Sequence, residues 1–326
     1  MKGLIKKMKI SGENLEKLKS LIDAAATIGV VSHVNPDGDN LGSSLGLARI
    51  LRNHGKKTQV IGHDEIDDYL KFLPDLKYYT KDYKDSYDLL LILDASEMDR
   101  IGDAIPVAKK SKMTAVIDHH LGGKIESDLN IIHPDSPATC ELIYEIASRL
   151  ELPIDKTSAT LLYTGIVTDT GRFLYSNTSK DTLEIAGHLL ELGADKEYIY
   201  TNLYQNKPIK VLQFENYLIS KAEFMTDRVF AVSSADAVSK FDVQMGDCEH
   251  VASVLRDLEG IEISMLLKEY GNGEYKVSLR SKNVDISKTA RENGGGGHIN
   301  ASGFSIFDNS LEQAAEKARE ILKNIQ

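Results

Sequence analysis

Gly29-Val30-Val31-Ser32-His33-Val34-Asn35-Pro36-Asp37-Gly38-Asp39 runs from a short apolar stretch into a polar one dense in carboxylate and imidazole. The next segment predicts a helix near 40–54, with Leu41, Leu45, Ala48 and Leu51 on one face and Gly55 as its stop. Upstream, Leu15, Leu18, Leu21, Ile22 and Ala25 repeat at helical spacing over residues 12–27, with Ser11 as a plausible cap. Downstream, short apolar runs recur at Thr58–Ile61, Asp88–Leu93 and Met113–Ile117, and helices are expected at about 138–150, 156–168 and 180–193. Strands alternating with helices predict an α/β fold, a mostly parallel sheet with helices on both faces.

From Lys207-Pro208 the texture changes, and a linker or long connecting helix is expected across 194–215. Beyond it come four apolar runs, Ala222–Met225, Val229–Ser233, Ile261–Leu267 and Tyr275–Arg280. Glu269-Tyr270-Gly271-Asn272-Gly273 reads as the turn of a hairpin between the last two. An amphipathic helix over Leu311–Ile325 closes the chain. The expected organisation is a catalytic domain over 1–193, a linker over 194–215 and a smaller α/β domain with a mixed sheet over 216–326.

The length of 326 residues agrees with about two domains, each able to bury its own core. With 42% hydrophobic and 27% charged residues, the composition is that of a globular protein rather than a disordered or fibrous one. The longest apolar run, Leu89–Leu93, is far short of the ~18 residues a membrane span needs, and the basic start MKGLIKKMKI lacks the apolar stretch of a secretory signal. A cytoplasmic protein with no membrane partner is expected. Cys140 and Cys248 lie far apart with no CxxC, so neither a disulfide framework nor a thiolate zinc site is indicated. The net charge of −10 argues against binding duplex DNA by charge, but permits a small phosphate-bearing substrate in a local pocket.

Three predicted parallel strands end in such residues: Ser32 leads to His33 and Asp37-Gly38-Asp39, Leu93 to Asp94, and Ile117 to Asp118-His119-His120. In open α/β sheets, ligands bind outside these carboxyl ends. One aspartate there would mean little, because Asp commonly caps helices and forms turns. Three strands ending in Asp and His at one edge point instead to metal. Imidazole plus carboxylate without thiolate suits Mn²⁺, Fe²⁺ or Zn²⁺ better than Mg²⁺ alone. Two histidines and four or more aspartates exceed one ion's needs, so a two-metal site is expected, with a carboxylate bridging ions about 3.5–4 Å apart. Gly38 is expected to let its loop turn sharply enough for both flanking carboxylates to face metal, with Pro36 stiffening the approach.

In order along the chain, His33-x-x-Pro36-Asp37-Gly38-Asp39-x-x-Gly42-Ser43, Asp94, Asp118-His119-His120 and Thr164-Gly165-x-x-x-Asp169-Thr170-Gly171 resemble the four motifs of the DHH phosphoesterase family. Gly294-Gly295-Gly296-Gly297-His298-x-x-Ala301-Ser302-Gly303-Phe304 resembles the signature of the DHH-associated C-terminal domain. The compact two-domain length is most similar to the branch acting as nanoRNase (oligoribonuclease) and 3′-phosphoadenosine 5′-phosphate (pAp) phosphatase. Asn35, at a variable position, and Ser302, where the family often has alanine, depart from the pattern without touching the metal ligands.

The resemblance implies that His33, Asp37 and Asp94 hold one metal, and Asp39, Asp94, His119 and Asp169 the other, with Asp94 as bridge. It implies catalytic roles for Asp94 and His120, the latter as a donor to the scissile phosphate. Asp118 is expected to orient a metal-bound histidine. Asp169 has a competing reading as a helix cap, and Arg172 stands evenly between substrate contact and surface residue. The implied cofactors are two divalent ions, Mn²⁺ first.

In the second domain, a four-glycine run exposes backbone N–H groups that can wrap a phosphate. Residues 268–292 carry six Lys or Arg against four acids, a local basic spot in an acidic chain. Arg280 is the expected bidentate phosphate clamp, with Ser281, Gly295, Gly296, Gly297 and His298 completing the substrate contacts. Lys282 and Lys288 are expected to be solvated.

The expected reaction is hydrolysis of phosphoester bonds in short RNA or DNA oligonucleotides (nanoRNA) and in pAp by a two-metal-activated hydroxide, with substrate held between the domains. A cyclic di-AMP or pApA phosphodiesterase is the main alternative, since the motifs do not separate the two. A non-catalytic nucleotide sensor is remote, because every ligand position holds a competent residue. A processive exonuclease lacks its added strand-binding domain, and the glycine-rich second domain argues against a manganese pyrophosphatase. A homodimer is the expected assembly.

Overall fold

The computed structural model describes residues 9–95, 97–120 and 125–325, in two compact units, one ending at Gln205 and the other beginning at Asn206. In the first, Ser11 caps α1 (Gly12–Ala24) by accepting from the Asn14 amide, and Leu15, Leu18 and Ile22 turn inward. Then follow β1 (Thr27–Val31), α2 (Gly38–Asn53), β2 (Lys57–Ile61), β3 (Tyr79–Thr80), β4 (Leu89–Leu93), α3 (Ile105–Lys110), β5 (Met113–Asp118) and β6 (Leu129–Ile132). Four helices complete it: α4 (Thr139–Arg149), α5 (Lys156–Asp169), α6 (Lys180–Glu191) and α7 (Lys196–Tyr204).

The strands form one sheet in the order β3-β2-β1-β4-β5-β6, with every neighbouring pair parallel. Every residue of β4 is buried, as a central strand covered on both faces requires. The expected parallel sheet is thus present, and chain order reverses between β1 and β4. A doubly wound sheet opens a crevice at that switch point.

The expected 12–27 helix stops at Ala24, because Thr27 already pairs with Lys57 in the sheet. No single long helix spans 194–215: α7 ends at Tyr204, and α8 (Ile209–Ser220) starts behind Pro208, which supplies no amide to continue a helix.

The second unit continues with β7 (Glu223–Phe224), β8 (Arg228–Ser233), α9 (Ala235–Phe241), α10 (Glu249–Arg256), β9 (Ile263–Gly271), β10 (Glu274–Ser281), α11 (Ser287–Glu292), β11 (Gly296–His298), β12 (Ala301–Phe307) and α12 (Leu311–Asn324). Its sheet, ordered β11-β12-β10-β9-β8-β7, is mixed: β8 and β9 run parallel and the other pairs antiparallel. The predicted hairpin joins β9 to β10, with Asn272 at φ 52° and Gly273 at φ 76°, the left-handed pair that a tight hairpin turn needs. One sheet face packs Met265, Leu267, Val277, Leu279, Phe304 and Ile306 with residues of α11 and α12. On the other, α8, α9 and α10 cover Val229, Ala231 and Leu266, on β8 and β9.

Candidate active site

The switch point gathers the chemistry. Asp37 caps α2, its Oδ1 accepting from the Asn40 amide at 2.9 Å, and its Oδ2 lies 3.8 Å from His33 Nε2. His33 Nδ1 sits 2.7 Å from the Val34 carbonyl, which turns Nε2 toward the carboxylates. Asp39, one residue into α2, is fully buried and accepts from the amides of Thr139 (2.6 Å) and Cys140 (2.9 Å). Those donors belong to the first turn of α4, where unsatisfied N–H groups favour an anion.

Asp94, directly after β4, has a left-handed φ of 53° and is 2% exposed. Its Oδ2 lies 3.3 Å from His33 Nε2 and its Oδ1 3.3 Å from His119 Nε2. One carboxylate thus faces two imidazoles with its two oxygens. Around His119 Nε2 stand Asp169 at 3.4 Å and Asp39 at 3.8 Å. In this unit three groups have their ligand atoms within 4.8 Å of one another, His33–Asp37–Asp94, Asp39–His119–Asp169 and Asp94–Asp118–His120.

The histidines are oriented differently from the expectation. Asp118 Oδ1 accepts from the amides of His119 (2.8 Å) and His120 (3.2 Å) and lies 2.8 Å from His120 Nδ1. Its side-chain contact is therefore with the ring of His120, the expected phosphate donor, while it meets His119 through the backbone amide. The His119 ring is set by the Ser136 carbonyl, 3.1 Å from its Nδ1. Both outcomes follow from Asp118 being tied to the two amides after it, which aims its carboxylate along the chain.

Gly38 also differs from its expected role. It lies in α2 without a positive φ, and a Cβ there would meet the Thr168 side chain at 2.4 Å. Its value is close packing of α2 against α5. Gly165 does the same: a Cβ would lie 2.4 Å from Cys140 Sγ and 2.7 Å from Asp39 Oδ1.

Charge bears on whether metal fits. Burial works against the ionised form of Asp94, yet hydrogen bonds from His119 and His33 hold it well below the usual carboxylate range. Burial and the Asp94 charge push Asp39 up to about 7, and burial with the charges of Asp39 and Asp37 pushes Asp169 well above its ordinary value. Burial would lower His33 and His119, but Asp94 overcomes it, taking His33 to about 9 and His119 well up. The polypeptide alone therefore keeps these groups together by taking up protons. Four carboxylates and two neutral imidazoles instead make a −4 oxygen and nitrogen donor set, which two divalent ions neutralise. The residues fit the implied metals.

Residues 27–166 match the model for the DHH family, N-terminal domain, and residues 227–324 that for the DHHA1 domain. The bifunctional oligoribonuclease and PAP phosphatase NrnA of Mycoplasma pneumoniae is 31% identical over 293 residues, 87% of this chain and 89% of that protein. The chain belongs to the DHH family. This DHH protein also superposes on the crystal structure of an exopolyphosphatase-related protein from Bacteroides fragilis, with TM-score 0.88 and 30% identity, covering 98% of this chain and all of that one. RecJ of Thermus thermophilus, solved in complex with Mn²⁺, shares the fold at 17% identity and TM-score 0.57, covering 96% of this chain and 55% of RecJ. Family membership makes the chain an enzyme of phosphoester chemistry, as the motif reading expected.

In its second unit the glycine run is not an open loop. Gly296–His298 form β11, antiparallel to β12. A Cβ on Gly295 would come 2.1 Å from the Gly303 carbonyl, and Gly297 has φ 133°, so these two glycines permit a close strand approach that side chains would block. Register puts Arg280, Ala301 and His298 abreast on the face that carries the α8–α10 layer. Ser281 lies on the opposite face, 1% exposed, its Oγ donating to the Val284 carbonyl. Lys282 Nζ donates to the Leu258 carbonyl rather than being wholly solvated. Arg172 is exposed with φ 66°, its guanidinium 4.9 Å from the centre of the Tyr204 ring.

Sequence reading missed several supports of the site. Asn40 Nδ2 donates to the His33 carbonyl at 2.7 Å, Thr139 Oγ1 to Asp94 Oδ1 at 3.1 Å, and the Asn35 amide to Asp64 Oδ2 at 2.6 Å. A polar residue at the start of an apolar helix, as at Thr139, was the available signal. Asp64 carried none, being 29 residues from its partner. Among the described residues, no helix is long and apolar enough to cross a membrane.

Proposed function

We propose that this protein hydrolyses phosphoester bonds in short oligonucleotides and in 3′-phosphoadenosine 5′-phosphate, using two divalent ions, Mn²⁺ first. The observation that carries the reading is Asp94, whose two oxygens stand equally near His33 and His119. His33, Asp37 and Asp94 would hold one ion, and Asp39, Asp94, His119 and Asp169 the other. When bound, such ions supply Lewis acidity and make water a nucleophile near neutral pH. The DHH membership and the NrnA relative support phosphoester substrates of nucleotide type.

The protein's own groups do the rest. Asp118 accepts from His120 Nδ1 and stabilises the imidazolium form, in which the other ring nitrogen also carries a proton and would donate to a phosphoryl oxygen as charge builds on it. Asp39, held by two α4 amides, keeps its position without help from solvent. In the second unit, Arg280 would grip a substrate phosphate with its planar fork, and His298, abreast of it, a further oxygen or the base.

The test is product analysis with Mn²⁺, with and without EDTA, on pAp, a 5′-phosphorylated dinucleotide, cyclic di-AMP and pyrophosphate. Turnover of pAp and the dinucleotide, lost in EDTA, is expected. Preference for cyclic di-AMP would assign the same residues to second-messenger breakdown, and silence on all four with metal bound would refute hydrolysis.

A further inference from the structure

The chain leaves α5, the helix that ends in Asp169, by a strained turn. The Arg172 amide donates to the Val167 carbonyl at 2.8 Å and the Gly171 amide to the Thr168 carbonyl at 3.1 Å, with Gly171 left-handed at φ 54°. These are the two bonds by which a glycine stops a helix, and one left-handed residue completes them. Here Arg172 at φ 66° and Phe173 at φ 65° continue in the same region, which is rare and costly for residues with large side chains. Buried Thr170 enforces the turn: its carbonyl accepts from the amides of Leu174 (3.1 Å) and Tyr175 (3.0 Å), and its Oγ1 from that of Phe173 (3.1 Å).

The turn sends two side chains to different places. Phe173 meets Tyr163 of the core edge-on, with 6.1 Å between ring centres. Arg172 stays exposed, its guanidinium 4.9 Å from the centre of the Tyr204 ring on α7. Tyr204 is braced by Tyr200, 5.7 Å from ring to ring, and both pack against the core of the first unit. Burial pushes the Tyr204 hydroxyl up to about 12, the Arg172 charge opposing the rise and the Asp169 charge adding to it. The ring thus lies within electrostatic reach of the guanidinium and of a site carboxylate together. Among the described residues, no carboxylate pairs with Arg172, three positions after Asp169 in a protein of net charge −10. Neither the helix stop nor an ion pair accounts for a guanidinium at this place. Backbone strain of this kind collects where side chains are held for a ligand.

A planar guanidinium laid on an aromatic ring is a surface on which a nucleobase stacks. The scissile phosphate of an oligonucleotide joins two nucleosides, whereas that of pAp carries one. We propose that Arg172, backed by Tyr204, stacks the base of the nucleoside beyond the scissile phosphate, which oligonucleotides have and pAp lacks. Arg172 is then a specificity-determining residue: it adds affinity for an oligonucleotide and none for pAp, so one metal site treats the two substrates differently.

This inference rests on the nucleotide-substrate reading above, and two readouts keep the two apart. Steady-state hydrolysis with Mn²⁺ of pAp and of a 5′-phosphorylated dinucleotide tests the reading. Binding in EDTA of the same dinucleotide, with fluorescent 2-aminopurine as its second base, tests the stacking through quenching. Arg172→Ala should raise KM for the dinucleotide at least fivefold at unchanged kcat, leave pAp kinetics at parental values, and abolish the quenching. Arg172→Lys, which keeps the charge without the plane, should behave as Arg172→Ala does. A dinucleotide lacking its second base should lose the same factor with the parent protein and nothing further with Arg172→Ala. Arg172→Gly, which accepts φ 66° without strain, should match Arg172→Ala in kinetics and keep the parental melting temperature. Equal weakening on pAp, rescue by lysine, a large fall in melting temperature with Arg172→Gly, or no quenching by the parent protein would overturn the assignment. Quenching that depends on Arg172, with no hydrolysis of either substrate by the parent protein, would overturn the reading and leave the stacking role standing.

Discussion

Asp118 Oδ1 lies 2.8 Å from His120 Nδ1, the second residue of the same strand end. A carboxylate so placed selects the tautomer of the ring and its direction. Asp118→Asn is expected to lower kcat about 10- to 100-fold, the range for loss of a supporting partner. Because His119 is oriented by Ser136 instead, bound metal should stay at the parental stoichiometry. Steady-state kinetics beside elemental analysis checks both, and loss of metal would refute the assignment.

A methyl group at residue 165 would invade the space of Asp39 and Cys140. Gly165→Ala should therefore destabilise the fold by about 1–3 kcal/mol, as overpacking does. It should also displace Asp39 and, on the proposed two-ion reading, weaken one ion selectively. Thermal denaturation with a manganese titration reads both effects; two unchanged binding steps would show that Asp39 tolerates the shift.

Metal binding should release protons. His33 titrates at about 9 and Asp39 at about 7 in the metal-free protein, so at pH 7 His33 is protonated and Asp39 partly so. An ion must displace those protons, so affinity should weaken as pH falls from 9 toward 6. Calorimetry in two buffers of different ionisation enthalpy would detect the release, and a pH-independent affinity would contradict it.

Asp155 links acid stability to the helix that carries Asp169. It caps α5 by accepting from the Ser158 amide, and Arg49 and Asn53 also donate to it. Burial would raise its pKa, but the Ser158 amide, Asn53 and Arg49 overcome it and hold it at about 2 against an ordinary 3.8. A depressed carboxylate contributes stability that is fully present above about 4 and lost as pH falls through about 2. Asp155→Asn, which keeps a capping oxygen, should flatten the dependence of unfolding on pH between 4 and 2; an unchanged slope would show that other carboxylates dominate it.

Much of the first unit was legible because its signals are local. Apolar runs at residues 58–61, 88–93 and 113–117 became strands within a residue or so, and the residues after β1, β4 and β5 are those gathered at the switch point. Less of the second unit was legible. The short helices α9, α10 and α11 and the strands β11 and β12 were not anticipated, being short or glycine-rich and stabilised by packing against the sheet.

The sequence by itself determined the alternation of strand and helix, the family, and the identity of the acidic and imidazole groups, since each is carried by nearby residues in a set order. Only tertiary structure decided which groups meet. Asp39 and Thr139 are 100 residues apart, and it is the packing of α2 against α4 and α5 that brings an α4 amide to a buried carboxylate. Likewise Asp118 and Ser136 divided the two histidines between them, and the glycine run became an edge strand. Hydrogen bonds and close contacts between distant segments depend on how whole elements pack, which no local pattern encodes.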